Sequence, residues 1–155
     1  MNDPDPEIAV VLTAYAAFAR GDIDQAIAGL HPHVEWIEPD QFPSGGRRVG
    51  PAAVADYLRD SQSLWSELVS EPAATRRGND IIVVHHVHGR LADGTFRDVT
   101  VADVFTFRNG LIVRMQAYGD PAQALARYSW TPVTERPAYL VLARVLLAQD
   151  RPGRH

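Results

Sequence analysis

The sequence predicts an α+β fold in which a curved antiparallel sheet wraps around N-terminal helices, encloses a conical cavity and is followed by an extra C-terminal helix. Two observations lead to this prediction. Apolar residues recur at helical spacing over residues 6–30, whereas alternating apolar runs dominate the second half of the chain. The last two of these runs meet at Asn109-Gly110, and Asn-Gly between alternating runs is a strong hairpin signal.

The N-terminal half is predicted to run helix, helix, strand, helix. Asp5 can cap the first helix with proline at its first turn, and Asp22 can cap a second, shorter helix. Residues 34–38 alternate as a strand that ends at the following proline. A loop over residues 40–50 then leads into a third helix that begins at Pro51.

The C-terminal half is predicted to be an antiparallel meander. A strand over residues 64–71 ends at Pro72, a second covers residues 81–91, and Asp93-Gly94 joins it to the central hairpin over residues 96–118. We therefore expect four strands, each paired with the one before it.

Residues 1–128 are expected to form one domain, and residues 129–155 an extension within the same globule or at a dimer interface. A short helix is predicted over residues 121–128, and a final helix, apolar almost all round, ends at Gln149. The final helix is shorter than the roughly 20 residues that span a bilayer. It is expected to cover the cavity as a lid or to pack across a dimer.

Composition excludes several kinds of chemistry. The chain has 155 residues and no cysteine, and all fifteen of its basic residues are arginine. Thiol nucleophiles, cysteine-bound metals, lysine Schiff bases and the phosphate-binding lysine of nucleotide-binding loops are therefore excluded. A net charge of −4 without a basic stripe argues against nucleic acid as a partner. The acidic N-terminus does not resemble a secretory signal, so we expect a cytoplasmic protein.

One carboxylate stands out within the central hairpin. Asp103 shares a strand face with apolar neighbours that include Val101 and Phe105. An unpaired buried carboxylate is costly, so this side chain must be hydrogen-bonded, paired with arginine or kept protonated by a raised pKa. We expect it to face the cavity.

Three stretches together resemble the ketosteroid isomerase-like, or SnoaL-like, branch of the nuclear transport factor 2-like superfamily, over residues 6–126. Residues 15–24 look like the family's first helix and Gly-Asp turn. Residues 34–39 look like the strand whose acidic residue before proline, here Glu38, is the general base. Residues 103–115 look like the strand with the protonated oxyanion-hole aspartate, here Asp103, and the hairpin after it.

The resemblance implies a cofactor-independent acid/base enzyme that acts on a hydrophobic, carbonyl-bearing small molecule through an enolate, as an isomerase or an aldol-type cyclase. The family's oxyanion tyrosine would fall at Ala14, one residue before Tyr15. We expect Tyr15 to replace it, with Tyr57 and Tyr118 as the alternatives. The resemblance also implies a homodimer, and the Val- and Thr-rich outer face of the meander, at Thr100, Val104 and Thr106, is the predicted interface.

A histidine run supplies the remaining polar candidates. His86 and His88 share a strand face, and His85 points the other way. We expect His86 to act with the catalytic groups and His88 to contact substrate. Together with Glu38 or Asp103 these two histidines also form a possible metal site, but we assign no metal. The predicted pocket wall consists of Trp36, Tyr57, Trp65, Val101, Phe105, Met115 and Tyr118.

Two other functions are kept as alternatives. The same cavity could hold an apolar ligand or partner segment without turnover. Epoxide hydrolysis ranks below it, because the limonene-type enzymes use Asp-Arg-Asp on the sheet, whereas this chain has His86, His88 and Ala117 at the corresponding positions.

Overall fold

The structure, a computed structural model, describes residues 4–40 and 45–128. Within these ranges the helices are α1 (Pro6–Ala19), α2 (Ile23–Ile27), α3 (Pro51–Ser63) and α4 (Pro121–Ala126). The strands are β1 (Leu30–Glu38), β2 (Gly46–Val49), β3 (Trp65–Arg77), β4 (Asp80–Leu91), β5 (Phe96–Arg108) and β6 (Leu111–Tyr118). The predicted helix of residues 129–155 lies outside the described residues.

The predicted helix starts are confirmed by their caps. The Asp5 side chain accepts hydrogen bonds from the backbone N–H groups of Glu7 and Ile8 at 3.0 and 3.2 Å. The Asp22 side chain accepts one from Gln25 at 3.1 Å. These bonds satisfy N–H groups that have no partner within the helix, which is why α1 and α2 begin where they do.

The six strands form one curved sheet in the order β2-β1-β6-β5-β4-β3. The run from β3 to β6 is an antiparallel meander, whereas β1 joins β6 in parallel. The predicted α+β class is therefore confirmed. The hairpin between β5 and β6 turns at Asn109 and Gly110, whose φ angles of 53° and 80° fit the turn that best matches strand twist.

The structure corrects the prediction for the two outer strands. Residues 46–49 were expected in a loop, but they pair with β1 as β2. Pro72 was expected to end its strand, yet β3 continues to Arg77. Because β3 is an edge strand, a residue without an N–H group can be accommodated there.

Gly89 is held where no other residue fits easily. A Cβ atom there would lie 2.0 Å from the carbonyl oxygen of Glu67, and the glycine has a φ of +148°. We expect Gly89→Ala to lower the free energy of unfolding by about 2 kcal/mol, measured by urea denaturation. Gly78→Ala is the control, since it shares a positive φ of +62° but meets nothing within 4 Å. An equal loss in both variants would show that the backbone clash is unimportant.

The sheet has an apolar cluster on each face. On the concave face the helices pack against the strands through residues such as Val11, Val54 and Met115. On the outer face α4 packs against the sheet, where Ala124 lies with Val104 and other buried residues of β4 and β5. Val104 is covered by this packing and Thr100 is also buried, so neither of these two residues of the predicted dimer surface is exposed. None of the described helices is long and apolar enough to cross a membrane.

Candidate active site

A cavity of about 230 Å³ lies between the helices and the concave face of the sheet. Its wall is mostly apolar, and two carboxyl groups, Glu38 and Asp103, reach it from different strands. Among the described residues, neither carboxyl group forms a salt bridge with an arginine. The predicted pocket residues that line this cavity are Tyr15, Trp36, Tyr57, Trp65, Val101, Phe105 and Met115.

Glu38 is the last residue of β1 and is only 8% exposed. The Tyr57 hydroxyl donates a hydrogen bond to Glu38 Oε1, whereas Oε2 is buried without a partner among the described residues. Trp36 Nε1 is likewise a buried donor without a partner in the described part of the chain. A buried acceptor and a buried donor without partners cost free energy unless a ligand or water engages them.

The environment makes Glu38 a weak acid. Burial, and next the charge on Asp103, raise the pKa of Glu38 from its ordinary 4.5 to about 7. The hydrogen bond from Tyr57, the nearby charge of Arg48 and, least of the three, the side chain of Trp36 oppose this rise. The Arg48 guanidinium lies 4.4 Å from the centre of the Tyr57 ring. Glu38 is therefore poised to exchange a proton near neutral pH, as a general base requires.

Asp103 faces the cavity because of the alternation along β5. Its carboxylate Oδ2 accepts a hydrogen bond from the Tyr15 hydroxyl of α1. Burial raises the pKa of Asp103 from 3.8 to about 6, and the hydrogen bond from Tyr15 limits the rise. Burial and the Asp103 charge raise the pKa of Tyr15 well above its ordinary value, so the phenol stays protonated and acts only as a donor.

His85 is a cavity residue that the sequence analysis placed on the wrong face. Its ring packs edge-on against Tyr15, with centroids 4.6 Å apart, and its Nε2 lies 2.5 Å from Ser70 Oγ. Burial lowers the pKa of His85 to about 4, so it is a neutral imidazole at physiological pH. It can therefore hydrogen-bond a ligand without adding charge.

The length of one loop explains the error. A two-residue turn at Asp93-Gly94 would place His86 opposite Val101, on the Asp103 face. Instead Leu91 N–H donates to the Thr95 carbonyl at 2.8 Å, so the loop spans residues 92–94 and His85 pairs with Val101. One extra loop residue reverses the face of every side chain on β4. Gly94, with a φ of 91°, fits the left-handed position that closes a three-residue hairpin loop.

Three predicted site residues therefore lie outside the cavity. His86 and His88 are on the opposite face of β4, so they do not line the cavity as expected, and neither can form a metal site with Glu38 or Asp103. Tyr118 packs against the outer-face cluster beside α4, and its hydroxyl accepts a hydrogen bond from Arg127 at 3.0 Å.

Comparison with known proteins agrees with this architecture. The sequence model of the family described as the SnoaL-like domain matches residues 11–115. None of the curated proteins compared with the chain matches it. The chain is similar in fold to TerC, crystallised with polyporic acid, at 24% identity and a TM-score of 0.66, covering 79% of this chain and 97% of that one.

Two bacterial structures show the same likeness of fold. A nuclear transport factor 2-like protein of unknown function from Burkholderia pseudomallei K96243 has 24% identity and a TM-score of 0.68, with 82% of this chain and 100% of that one covered. A candidate polyketide cyclase from Xanthomonas campestris pv. campestris has 24% identity and a TM-score of 0.63, with 78% and 95% covered.

Proposed function

Because the chain belongs to the SnoaL-like domain family, we propose that it is a cofactor-independent acid/base enzyme acting on a hydrophobic, carbonyl-bearing small molecule, steroid-like or polyketide-like, through an enolate. One observation carries the proposal. Two carboxyl groups with raised pKa values, Glu38 and Asp103, each hydrogen-bonded to a tyrosine, face one largely apolar cavity. A structural ion pair would instead hold these pKa values low.

The proposed reaction begins with proton abstraction. Glu38 removes a proton from the carbon α to the substrate carbonyl, and the C–H electron pair moves into the enolate while the carbonyl oxygen gains negative charge. Asp103, in its neutral form and supported by Tyr15, donates a hydrogen bond to that oxygen. Return of the proton to another carbon gives an isomer, and attack of the enolate on a second carbonyl gives an aldol ring closure.

The contacts of Glu38 support this assignment of roles. Glu38 Oε2 has no donor at full hydrogen-bond geometry among the described residues, although the Trp36 side chain lies close enough to lower the Glu38 pKa. Tyr57 holds the other carboxylate oxygen and so fixes its orientation.

A non-catalytic binding role is the second candidate. The observation that favours it is the relative of similar fold crystallised with polyporic acid, because a cavity of this kind can hold a ligand without turnover. Apolar walls with a few convergent polar groups suit both roles. The two candidates differ only in whether Glu38 moves a proton.

Hydrogen-deuterium exchange tests the proposed function. The protein is incubated in D₂O with a panel of apolar ketones that carry acidic α-hydrogens, and NMR follows loss of the α-proton signal. Exchange above the buffer rate is expected for ketones that bind, since an enolate exchanges its α-proton whether the final product is an isomer or a ring. Binding without exchange across the panel would favour the non-catalytic role.

The pH dependence of exchange is a second prediction. With pKa values of about 6 for Asp103 and about 7 for Glu38, the pair holds one proton over that interval, mostly on Glu38, and the reactive form with Glu38 ionised and Asp103 neutral is the less populated of its two tautomers. The exchange rate at limiting substrate, plotted against pH, should be bell-shaped with its maximum between about pH 6 and 7. The doubly protonated pair lacks an ionised base, and the doubly ionised pair lacks a neutral hydrogen-bond donor. Tyr15→Phe removes a bond that lowers the Asp103 pKa and should move the profile to higher pH. A flat profile from pH 4 to 9 would contradict this coupling.

We also propose a cytoplasmic homodimer. The acidic composition and the family membership support these two expectations, and α4 already covers part of the outer sheet face. The dimer surface is therefore proposed to lie around Thr106, which is partly exposed, rather than at Val104 or Thr100. Light scattering of the purified full chain measures the oligomeric state directly.

A further inference from the structure

A cluster of metal-binding side chains lies on the outer face of the sheet, away from the cavity. Glu71 of β3 is paired in register with His86 of β4, and His88 follows two residues later on the same face. Their nearest ligand atoms all lie within 4.8 Å of one another. The proposed acid/base reaction uses none of these residues.

The spacing of the cluster suits a single ion. His88 Nε2 lies 2.9 Å from Glu71 Oε1, and His86 Nδ1 lies 3.4 Å from the same oxygen. The two imidazole rings are stacked, with centroids 4.9 Å apart. Ligands bound at about 2.1 Å from a tetrahedral ion lie about 3.4 Å apart, so only small side-chain rotations would bring all three onto one metal.

A second carboxylate orients His86. Asp98 Oδ1 lies 2.7 Å from His86 Nε2, so the ring donates its Nε2–H to this carboxylate. The Nδ1 lone pair of the neutral ring then faces Glu71 Oε1, which is also an acceptor. Two facing acceptors repel unless a proton or a cation lies between them, and a carboxylate behind a ligating histidine is the usual arrangement around protein metals.

We propose that Glu71, His86 and His88 bind one divalent transition-metal ion, of which Zn²⁺ is the first to test. His86 Nδ1, His88 Nε2 and one Glu71 oxygen are the protein ligands, Asp98 orients His86, and water completes the coordination. Two imidazoles and a carboxylate suit zinc and its neighbours better than magnesium or calcium. The ion would join the edge strand β3 to β4, and this site does not depend on the proposed enzyme activity.

The chain offers a matched control for this proposal. His31 and His33 form a second pair at the same spacing on β1, with ring centroids 5.8 Å apart. In the described residues this pair does not belong to a three-ligand group that includes a carboxylate. It therefore measures how tightly two neighbouring surface histidines bind metal without further ligands.

Isothermal titration of the untagged full chain with ZnCl₂ tests the site. We expect one ion per chain, weakened at least 10-fold by His86→Ala or His88→Ala, and weakened about 10-fold or more by Asp98→Asn. His33→Ala should leave the affinity of this site unchanged. Circular dichroism checks that each variant is folded, and Asp98→Asn, which keeps the side-chain shape, serves if an alanine variant unfolds.

A spectroscopic readout accompanies the titration. Co²⁺ in place of Zn²⁺ should give visible absorption bands that saturate at one ion per chain and are lost in His88→Ala. The proposal is overturned if the wild-type chain binds no ion at millimolar Zn²⁺, or if His33→Ala weakens binding as much as His86→Ala does.

Discussion

Replacing Glu38 by glutamine should reduce the rate of α-proton exchange by about 10²–10⁴-fold, because the amide cannot accept the substrate proton. Ligand affinity should change little. Glutamine keeps the shape of the side chain and an oxygen that accepts the Tyr57 hydrogen bond, and the apolar wall of the cavity is untouched. The measurement is exchange in D₂O by NMR at saturating ketone, together with the dissociation constant of the same ketone.

A control variant lies three residues away on the same strand. Glu35 is partly exposed and pairs with Arg47 at 2.7 Å, so Glu35→Gln removes a carboxylate from β1 without touching the cavity. Its exchange rate should equal that of the wild type. Full activity in Glu38→Gln would contradict the assignment of the base. Equal losses of activity and affinity would instead indicate that Glu38 binds the ligand and does not transfer a proton.

Two features of the site could be predicted because each depends on a local signal. Period-two alternation along residues 99–107 places Asp103 among inward-facing apolar residues, and the position of Glu38 just before a proline places it at a strand end. Long-range pairing then brings the two together, since β6 lies between β1 and β5 in the sheet. The order of the elements along the chain does not by itself predict this pairing of strands. That part of the prediction depended on the family resemblance.

The errors came where a single residue decides the geometry. His85, and not His86, reaches the cavity because the loop before β5 has one residue more than a tight two-residue turn. β2 is a short run, residues 46–49, whose apolar content is too low to distinguish a strand from a loop. Tyr15 was correctly expected to turn inward, although helical geometry alone would have rotated it by about 100° from the family position.

Burial that prepares Glu38 for catalysis should also make the protein less stable at high pH. The folded state raises the pKa of this group from 4.5 to about 7, so the folded chain holds a proton that the unfolded chain has released over that interval. Stability contributed by the buried acid is complete below pH 4.5 and declines as the pH rises to about 7. At 1.36 kcal/mol for each pKa unit, the loss approaches about 3 kcal/mol.

The difference between wild type and Glu38→Gln isolates this effect. His85 has the opposite linkage, since its lowered pKa makes stability rise with pH between about 4 and 6.5, but it is present in both proteins and cancels. Urea denaturation at a series of pH values measures the free energy of unfolding of both proteins. The value for Glu38→Gln minus that for the wild type should rise by up to about 3 kcal/mol between pH 4.5 and 8. A pH-independent difference would mean that Glu38 ionises normally in the folded protein, and the proposed base would lose its physical basis. A variant that is inactive yet more stable at pH 8 would show that the same desolvation both activates the carboxylate and destabilises the fold.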